Sequence, residues 1–570
     1  MREKSTTADE IAHVTGGYTF DHWNDYRLQP ENGNLPQRWQ ALPTALRGAA
    51  FPPMTALAWR RSEVWLTGYA FFYGSGNDPD RMLFSARVMN SLWGAALVLL
   101  VYGWSRRIWG EAGALVSAAF AALSPTMLAH SALSTSDMCM AFFLLAASGA
   151  YWRHLQDGRR RIWWLSAITL GLAAVAKFTA VLLLPVFGLM AALRILQAEP
   201  LMFGGKIFAT RPSRFAAIAV STAAQGLVAA ATVWVFFGFR YSVDNPALPT
   251  GEFNLPWAFV LSYGGIKAQG IEFCRAWHLL PEGWLYGLAF VLKHAEARAA
   301  FLDGDYSIFG WVDFFPKAFL YKTTPALLAA LAASAGLLAW HFRSTGRARV
   351  TGGLYRVTPL LVLFAIYWVF SLTSHLNIGH RHILPTYPIL FIFVGALGWA
   401  LARAWTHSRQ SGAAFALALA GLVGWQAAAA AQIYPNYLAY FSPVVGGPAK
   451  GYQHLVDSSL DWGQDLPALK HWLDDNRRPG EPVYLAYFGT DEPARFVPDA
   501  VLMPRLPGFD RPRPWYFPGA GLFALSATML QHVYATDRGP WTLENERLYQ
   551  QLRQSEDTFR ALQADPAGRP

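Results

Sequence analysis

The apolar residues of this 570-residue chain cluster into runs of about membrane-spanning length, with short polar segments between them. Ten such runs predict ten spans, near 89–105, 112–130, 138–153, 162–176, 178–197, 215–238, 324–341, 357–373, 384–402 and 412–432. The pair at 162–197 is short for two crossings, since about 15 residues of helix rise only about 22 Å. A re-entrant or kinked arrangement around Lys177 would accommodate it.

The composition agrees with a polytopic α-helical membrane protein. Hydrophobic residues make up 53% of the chain and charged residues only 15%. The net charge of +10 therefore need not indicate a nucleic-acid partner, because the basic residues fall largely in short loops between spans. Two cysteines cannot form a disulfide scaffold.

The basic residues also predict the orientation. They lie on alternate connections, at 106–107, 153–161, 206–214, 343–356 and 403–409. By the positive-inside rule these connections are cytoplasmic. Residues 1–88, the 239–323 loop and the tail from about 434 then face outward, and 89–433 forms the transmembrane bundle.

The outward N-terminal region contains no convincing span, and we expect interfacial helices in its proline-broken 41–73 stretch. No span or signal sequence precedes this region to carry it across the membrane. Either it crosses unaided, or coding sequence upstream of Met1 supplies about 20 apolar residues. We expect the second.

The tail, 434–570, changes character and predicts a small extracytoplasmic α/β domain. A helical stretch lies near 463–475, and strand-like runs lie at 482–489 and 521–530. The last ~20 residues have a helical pattern that then frays.

Charged residues collect at the outer ends of the predicted spans. The carboxylates are Asp9, Glu10 and Asp137, and the cations are Lys177, Arg240 and Arg381. Each has a plain structural alternative: the run from Ser134 to Asp137 could cap a helix, and lysine or arginine at a span end often anchors it at the interface. Together, carboxylates can hold a metal or act as a base, and cations suit a phosphate. The chain has no glycine-rich nucleotide loop, and the histidines at 375, 380 and 382 lack zinc spacing.

These residues lie in segments that resemble the GT-C class of integral-membrane glycosyltransferases, which use polyprenyl-phosphate sugar donors, close to the protein O-mannosyltransferase and aminoarabinose-transferase relatives. The similar segments are TTADEIAHVTGGYTF…DYRLQPENGNLP, LSPTMLAHSALSTSDM, LGLAAVAKFTAVLLLP, GDYSIFGWVDFFPKAFLYKTTPALL, IGHRHILPTYPIL and DSSLDWGQDLPAL. They cover most of the chain in the expected order. One segment departs from the usual form, since Glu-His-Pro-Pro-Leu is replaced by the run from Glu31 to Leu35.

The resemblance implies a GT-C-like fold and a role for each rim residue. Asp9 would be the catalytic carboxylate with Glu10 beside it, and Asp137 the second acidic group. Lys177 and Arg240 would hold the lipid-linked phosphate. Arg381 is a further candidate for phosphate binding, in a matched segment whose role the resemblance leaves open. A divalent cation, if used, would be held by Asp9, Asp137 and Glu31. The outer-domain run containing Asp457, Ser458, Asp461, Trp462, Gln464 and Asp465 is matched, but its role is open.

The expected activity is transfer of a sugar from a polyprenyl-phosphate carrier to an acceptor hydroxyl on a protein, lipid or glycan, with inversion. It would take place on the outer face of a bacterial inner membrane. Two alternatives remain: a lipid-linked sugar flippase or transporter, and a structural partner of an envelope complex. A transporter would favour mid-membrane charges and related halves, whereas these charges lie at one rim and the sequence has no internal repeat.

Overall fold

A computed structural model describes residues 1–344, 347–503 and 519–532, with the backbone alone for 344 and 347–350. The described elements are mostly helices. The helices are α1 (Glu10–Trp23), α2 (Asn34–Arg47), α3 (Leu57–Arg60), α4 (Val64–Tyr69), α5 (Pro79–Ala122), α6 (Pro125–Ser131), α7 (Asp137–Gln156), α8 (Arg160–Ala176), α9 (Leu183–Leu196), α10 (Arg211–Phe236), α11 (Trp257–Val260), α12 (Gly265–Ala276), α13 (Glu282–His294), α14 (Phe314–Lys322), α15 (Pro325–Ser344), α16 (Arg347–Leu372), α17 (Tyr387–His407), α18 (Arg409–Ile433), α19 (Leu466–Asn476) and α20 (Ala527–His532). The strands are β1 (Leu201–Phe203), β2 (Lys206–Phe208), β3 (Ala300–Leu302), β4 (Asp305–Ser307), β5 (Val483–Ala486), β6 (Val501–Leu502) and β7 (Leu522–Leu525).

The described residues include seven helices long and apolar enough to cross a membrane, which confirms the predicted class of helical polytopic membrane protein. They are Pro79–Ala122, Phe178–Leu196, Arg211–Phe236, Pro325–Arg343, Thr351–Leu372, His380–His407 and Arg409–Ile433. The first contains the predicted run at 89–105 and the first part of the run at 112–130, joined at Gly110, whose φ of 79° interrupts the helix. The end of the second run lies in the separate short helix α6. The predicted runs at 138–153 and 162–176 correspond to α7 and α8, which are not among the seven, α8 having 17 residues.

Helix α17 forms the centre of the bundle. In the most apolar stretch of the segment His380–His407, 83% of the residues are buried inside the protein, compared with 17–39% in the corresponding stretches of the other six segments. It packs closely along α5, where a Cβ added at Gly398 would lie 2.3 Å from the carbonyl oxygen of Ala112. Trp109 donates its indole N–H to the carbonyl of Ile392 at 2.7 Å. These contacts hold α17 against α5 between Ile392 and Gly398.

The N-terminal region folds against this rim as the predicted short helices. Helices α1 and α2 pack so closely that a Cβ at Gly17 would lie 2.0 Å from the backbone oxygen of Gln37. Helices are present in the 41–73 stretch as expected: the end of α2, α3, α4 and a π-helical turn from Ala70 to Gly74. Their location at the membrane interface stays a prediction.

The tail contains a three-stranded parallel sheet in the order β6-β5-β7, with Tyr484 paired to Val501 and to Phe523. The helix predicted at 463–475 is α19. The strand predicted at 521–530 is wrong in its second half, because the chain turns into α20 at Ala527 after four residues of β7. The helical pattern predicted for the last ~20 residues lies outside the described residues.

Candidate active site

Four charged side chains at the rim predicted to face outward form a continuous chain of ion pairs. The guanidinium of Arg381 donates to the carboxylate of Asp9, with Nη1 2.9 Å from Oδ2. The same Nη1 lies 3.7 Å from Oδ2 of Asp137. The other oxygen of Asp137 accepts from the ammonium of Lys177 at 2.5 Å. The structure thus brings together residues that are up to 372 positions apart in sequence.

Neither carboxylate is used as a helix cap. Asp9 occupies the N-cap position of α1, but its side chain accepts no capping hydrogen bond from that helix. Asp137 is the first residue of α7, after an N-cap serine whose hydroxyl also makes no capping bond. Two anionic side chains thus lie at helix N-termini, where the helix dipole stabilises negative charge, and both point to the cations. The capping alternative for Asp137 is not what the structure shows.

Lys177 lies at a break between two helices, as the sequence predicted. Helix α8 ends at Ala176, Lys177 is extended with φ −168° and ψ 150°, and a 3-10 turn from Phe178 to Leu182 leads into α9. The break lets the ammonium leave the helix and reach Asp137. Gly33, in the segment that departs from the family form, packs against this break, since a Cβ there would lie 1.7 Å from the oxygen of Ala176.

Arg381 is positioned by the outer domain. It belongs to a 3-10 turn, His380–Thr386, that precedes α17, and its guanidinium lies 4.2 Å from the ring centroid of Trp462. The backbone N–H of His380 donates to the hydroxyl of Ser459 at 2.9 Å. A Cβ at Gly379 would lie 2.1 Å from the hydroxyl of Ser458. The 457–465 run, whose role the sequence left open, therefore packs directly on the arginine turn.

The same run holds the residues directly before Asp9 through backbone hydrogen bonds. The backbone N–H of Ser5 donates to the oxygen of Gln464 at 3.0 Å, and that of Ala8 to the oxygen of Trp462 at 2.9 Å. Asp461 accepts from the backbone of Thr528 at 2.9 Å and so ties the run to α20. Burial raises the pKa of Asp461 to about 6. Asp465 forms an ion pair with Lys4.

Glu10 faces away from the ion-pair chain. Its fully buried carboxylate accepts from Arg87 Nε at 2.8 Å and Nη2 at 2.6 Å, and from the backbone N–H groups of Thr7 and Ser134, both at 2.9 Å. Burial alone would raise the pKa of this carboxyl, but Arg87 and these donors lower it. Glu10 is thus a satisfied ion-pair partner. The sequence did not identify Arg87, because an arginine near a predicted interface has no local signal of burial.

Arg240 lies outside the ion-pair chain as well. Its guanidinium donates to the carbonyl oxygens of Ser242 at 2.9 Å, Val243 at 3.2 Å and Asn24, and it lies over the ring of Tyr26. These contacts fold the turn after α10 onto the N-terminal region. The structure therefore does not bring Arg240 to Lys177 and Arg381.

Buried polar atoms without partners surround the ion-pair chain. Within the described residues they include His13 Nδ1, Asp137 Oδ2, Arg381 Nε and His382 Nε2. Burial lowers the pKa of His13 to about 4, so its ring is neutral at physiological pH. Buried polar groups are nearly always hydrogen-bonded, so a polar ligand or water beside the ion-pair chain would satisfy these four atoms, which are among many such atoms in the described residues. Neither His13 nor His382 was a candidate from sequence.

Glu31 lies close enough to Asp9 for the two carboxylates to affect each other. Burial, with a smaller contribution from the charge of Asp9, raises the pKa of Glu31 to about 7. The preceding residue, Pro30, packs closely on α13, since a Cβ added at Gly287 would lie 2.0 Å from the carbonyl oxygen of Pro30. The outer 239–323 loop therefore closes over the Glu31 side of the site.

The three carboxylates expected to share a metal do not form one donor group. The described residues contain no set of three His, Cys, Asp or Glu side chains placed to hold an ion. Asp9 and Asp137 are instead neutralised by Arg381 and Lys177. This arrangement does not fit a divalent cation bound jointly by Asp9, Asp137 and Glu31, and we derive no step through one.

A family comparison supports the resemblance seen in the sequence. Residues 80–209 match the family model for dolichyl-phosphate-mannose-protein mannosyltransferase. The matched segment contains Asp137 and Lys177, whereas Asp9 and Arg381 lie on either side of it. The resemblance to this type of membrane glycosyltransferase is confirmed. A search of curated protein sequences gives no significant match.

Two kinds of solved structure show a distant similarity to this chain. ArnT from Cupriavidus metallidurans, in the apo state and bound to undecaprenyl phosphate, is 12% identical, with 89% of this chain and 83% of that chain covered and a TM-score of 0.44. The archaeal oligosaccharyltransferase AglB from Archaeoglobus fulgidus, in complex with an inhibitory peptide and a dolichol-phosphate, is 13% identical, with 75% and 52% covered and a TM-score of 0.40.

Proposed function

We propose that this chain, whose residues 80–209 carry the mannosyltransferase family pattern, transfers a sugar from a polyprenyl-phosphate carrier to an acceptor hydroxyl. The observation that carries the proposal is the ion-pair chain Asp9–Arg381–Asp137–Lys177 with unpartnered polar atoms beside it. It combines a carboxylate that can take a proton with cations that can receive a phosphate. Two such functions in one cluster are what glycosyl transfer from a phosphate requires.

The donor phosphate is proposed to bind between Lys177 and Arg381. A guanidinium presents several donors in a fixed plane and an ammonium adds a compact charge, so together they suit a phosphate. Arg381 Nε has no partner among the described residues and is available to such a ligand. Both cations are held by Asp137, which places them for the phosphate and stabilises their charge before it arrives.

Asp9 is the proposed general base. Its side chain is 24% exposed, compared with 4% for Asp137, so an acceptor hydroxyl reaches Asp9 more readily. In the reaction Asp9 takes the proton of the acceptor hydroxyl while that oxygen forms a bond to the anomeric carbon. The bond from the same carbon to the phosphate oxygen breaks, and Lys177 and Arg381 stabilise the departing charge. Attack opposite the leaving phosphate inverts the anomeric centre.

The site is proposed to face the outside of a bacterial inner membrane, as the distribution of basic loops predicts. Glu10 and Arg240 have structural contacts in this arrangement, with Arg87 and with backbone carbonyls. The flippase alternative has no support in the comparisons.

The test is an assay of sugar transfer by the purified full chain in detergent. Radiolabelled mannose on a polyprenyl phosphate is supplied with a mixture of membrane lipids and proteins as acceptors, and label is followed into new products. Other polyprenyl-phosphate sugars are tested in parallel. Release of polyprenyl phosphate coupled to labelled product is expected. The same chain is also reconstituted into vesicles, where movement of the labelled lipid across the membrane with no product formed in either assay would show a transporter and overturn the proposal.

A further inference from the structure

We propose that α12 is an interfacial helix whose apolar stripe, Ile266, Phe273 and Trp277, inserts into the outer leaflet of the bilayer. Ile266 and Phe273 lie on α12, and Trp277 directly follows it. The proposal concerns how the 239–323 loop contacts the membrane and does not depend on the sugar-transfer activity.

The stripe is apolar, continuous and exposed. Phe273 is seven positions after Ile266, and Trp277 is four positions after Phe273. At 3.6 residues per turn, these spacings place all three on one face of the helix. Their exposed fractions are 85% for Ile266, 57% for Phe273 and 68% for Trp277. Ala268 and Ile271 of the same helix are buried, which shows that the opposite face packs on the protein. Large exposed apolar residues on one face of a helix indicate a contact surface.

The position of the stripe identifies the membrane as its partner. The indole N–H of Trp234, two residues before the end of α10, donates to the carbonyl of Leu279 at 3.1 Å. The phenol of Tyr241 donates to the carbonyl of Arg275 at 3.0 Å, and its ring stacks on that of His278 with centroids 3.7 Å apart. These contacts fix the C-terminal end of α12 beside the end of a helix apolar enough to cross the membrane.

The chemistry of the stripe suits the headgroup boundary. Tryptophan is favoured at membrane–water interfaces, and amphipathic helices bury their apolar face about 5–10 Å into that boundary. Lys267 and Arg275 belong to the same helix, as expected where phosphate headgroups are near. The apolar side chains Phe239 and Leu279, both exposed, flank the stripe in sequence at the ends of α10 and α12. A lipid surface covers all of these groups at once.

A bilayer contact at α12 would also steady the site. Helix α12 packs on α13. Two residues of α13 contact segments next to the site: Gly287 packs against the backbone of Pro30, and the indole N–H of Trp284 donates to the backbone oxygen of Ala174 at 3.0 Å. The loop would thus be held between the leaflet and the break at Lys177.

Site-directed spin labelling of the full chain in phosphatidylethanolamine–phosphatidylglycerol vesicles tests the proposal. With Cys139 and Cys274 replaced by alanine, nitroxides are placed through Ile266→Cys and Phe273→Cys, and through Glu272→Cys as the matched control on an exposed polar position of the same helix. Collision with oxygen, which partitions into lipid, is compared with collision with a water-soluble nickel chelate.

The expected result is a several-fold higher oxygen-to-nickel ratio at 266 and 273 than at 272. Nickel accessibility at 266 and 273 equal to that at 272 would show a surface in water and overturn the proposal. Exclusion of both reagents at 266 and 273 would show a protein cover, such as a second copy of the chain, and would overturn it too. The label positions are exposed, so the substitutions leave the packed face of the helix unchanged.

Discussion

At the scale of single residues, charge neutralisation distinguishes the two carboxylates. Asp137 is buried and contacts both cations, whereas Asp9 contacts Arg381 alone and is partly exposed. One carboxylate therefore organises the cations and the other faces the acceptor. Substitutions that keep size but remove charge separate these roles.

Asp9→Asn is expected to lower the rate of sugar transfer by about 10²–10⁴, the usual effect of losing a general base, because an amide cannot take the proton. Binding of the lipid donor should remain. Single-turnover transfer and donor binding are measured on the same preparation. Asp474→Asn, an exposed carboxylate on α19, is the control and should transfer normally. Near-normal turnover in Asp9→Asn would reject the base assignment.

Lys177→Ala is expected to weaken donor use, since it removes a charge-assisted contact worth about 1.5–3 kcal/mol. KM for the polyprenyl-phosphate sugar should rise about tenfold or more, corresponding to that energy. Arg240→Ala is the informative comparison, because its contacts in the structure are backbone carbonyls and the ring of Tyr26. An equal rise in KM for Arg240→Ala would place that side chain at the donor; no rise with Lys177→Ala would remove Lys177 from it.

Glu31 gives the site a pH dependence whose sign follows from its raised pKa. Between the ordinary value of 4.5 and about 7 the folded chain binds more protons at this position than the unfolded chain. Stability therefore falls as pH rises through this window and levels off above it. Glu31→Gln should remove this loss. Above about pH 7, the free energy of unfolding of the variant should exceed that of the wild type by up to about 3 kcal/mol.

Thermal unfolding of the wild type, Glu31→Gln and the exposed-residue control Glu252→Gln is compared at about pH 5 and about pH 8. The Glu31 variant should lose less stability than the wild type on going to the higher pH. The control should follow the wild type. A Glu31→Gln curve parallel to the wild type would show that the carboxyl is ionised in the folded chain throughout.

At the scale of elements, the segment from Glu31 to Leu35, which lacks the prolines of the usual family form, packs its backbone closely against the end of α8. The turn from Glu31 to Asn34 starts α2, and Gly33 lies directly against the end of α8. Because only a residue without Cβ fits there, the glycine lets the N-terminal region contact the break that frees Lys177. The departure from the family form thus has a packing role in this chain.

Gly33→Ala is therefore expected to displace the start of α2 or the break at Lys177. Overpacking costs about 1–3 kcal/mol, and donor KM should rise together with the loss of thermal stability. Gly336→Ala is the matched control, since a Cβ at Gly336 in α15 meets no atom within 4 Å. It should be neutral or slightly stabilising, because alanine favours a helix more than glycine does. Unchanged stability and KM in Gly33→Ala would contradict the packing role.

At the scale of the whole molecule, the outer domain and the membrane bundle complete the site together. Trp462 of the tail lies against Arg381 before α17 and accepts a backbone hydrogen bond from Ala8 beside Asp9. One residue of the tail domain therefore contacts both the cation Arg381 and Ala8, the residue directly before the proposed base. We expect that loss of this contact changes catalysis through the position of Arg381.

A double-mutant cycle measures this coupling. Trp462→Phe keeps an aromatic face, whereas Trp462→Leu removes it, so transfer should fall further in the leucine variant. Each is combined with Arg381→Lys. If the cation–π contact contributes about 1–2 kcal/mol, the effect of the double variant should differ from the sum of the Trp462→Leu and Arg381→Lys effects by about that coupling energy. Additive effects of the two substitutions would show that Trp462 supports only the outer domain's fold.

The sequence by itself determined the class of the protein, the runs that form its helices and the candidate charges at the outer rim. These follow from local properties: runs of apolar residues, basic loops and ionisable side chains at their ends. A re-entrant or kinked arrangement around Lys177 was also among the sequence predictions, because the apolar runs at 162–176 and 178–197 are short for two full crossings.

Only the tertiary structure decided which charges meet. The start of α1, the start of α7, the break after α8 and the turn before α17 converge in the fold. They bring together four charged side chains, Asp9, Asp137, Lys177 and Arg381. By contrast, Glu10 pairs with Arg87, and Arg240 binds backbone carbonyls. An ion pair depends on distance and burial between segments far apart in sequence, and neither is a property of a local pattern. The role of Trp462 belongs to the same level, because it arises where the outer domain meets the bundle.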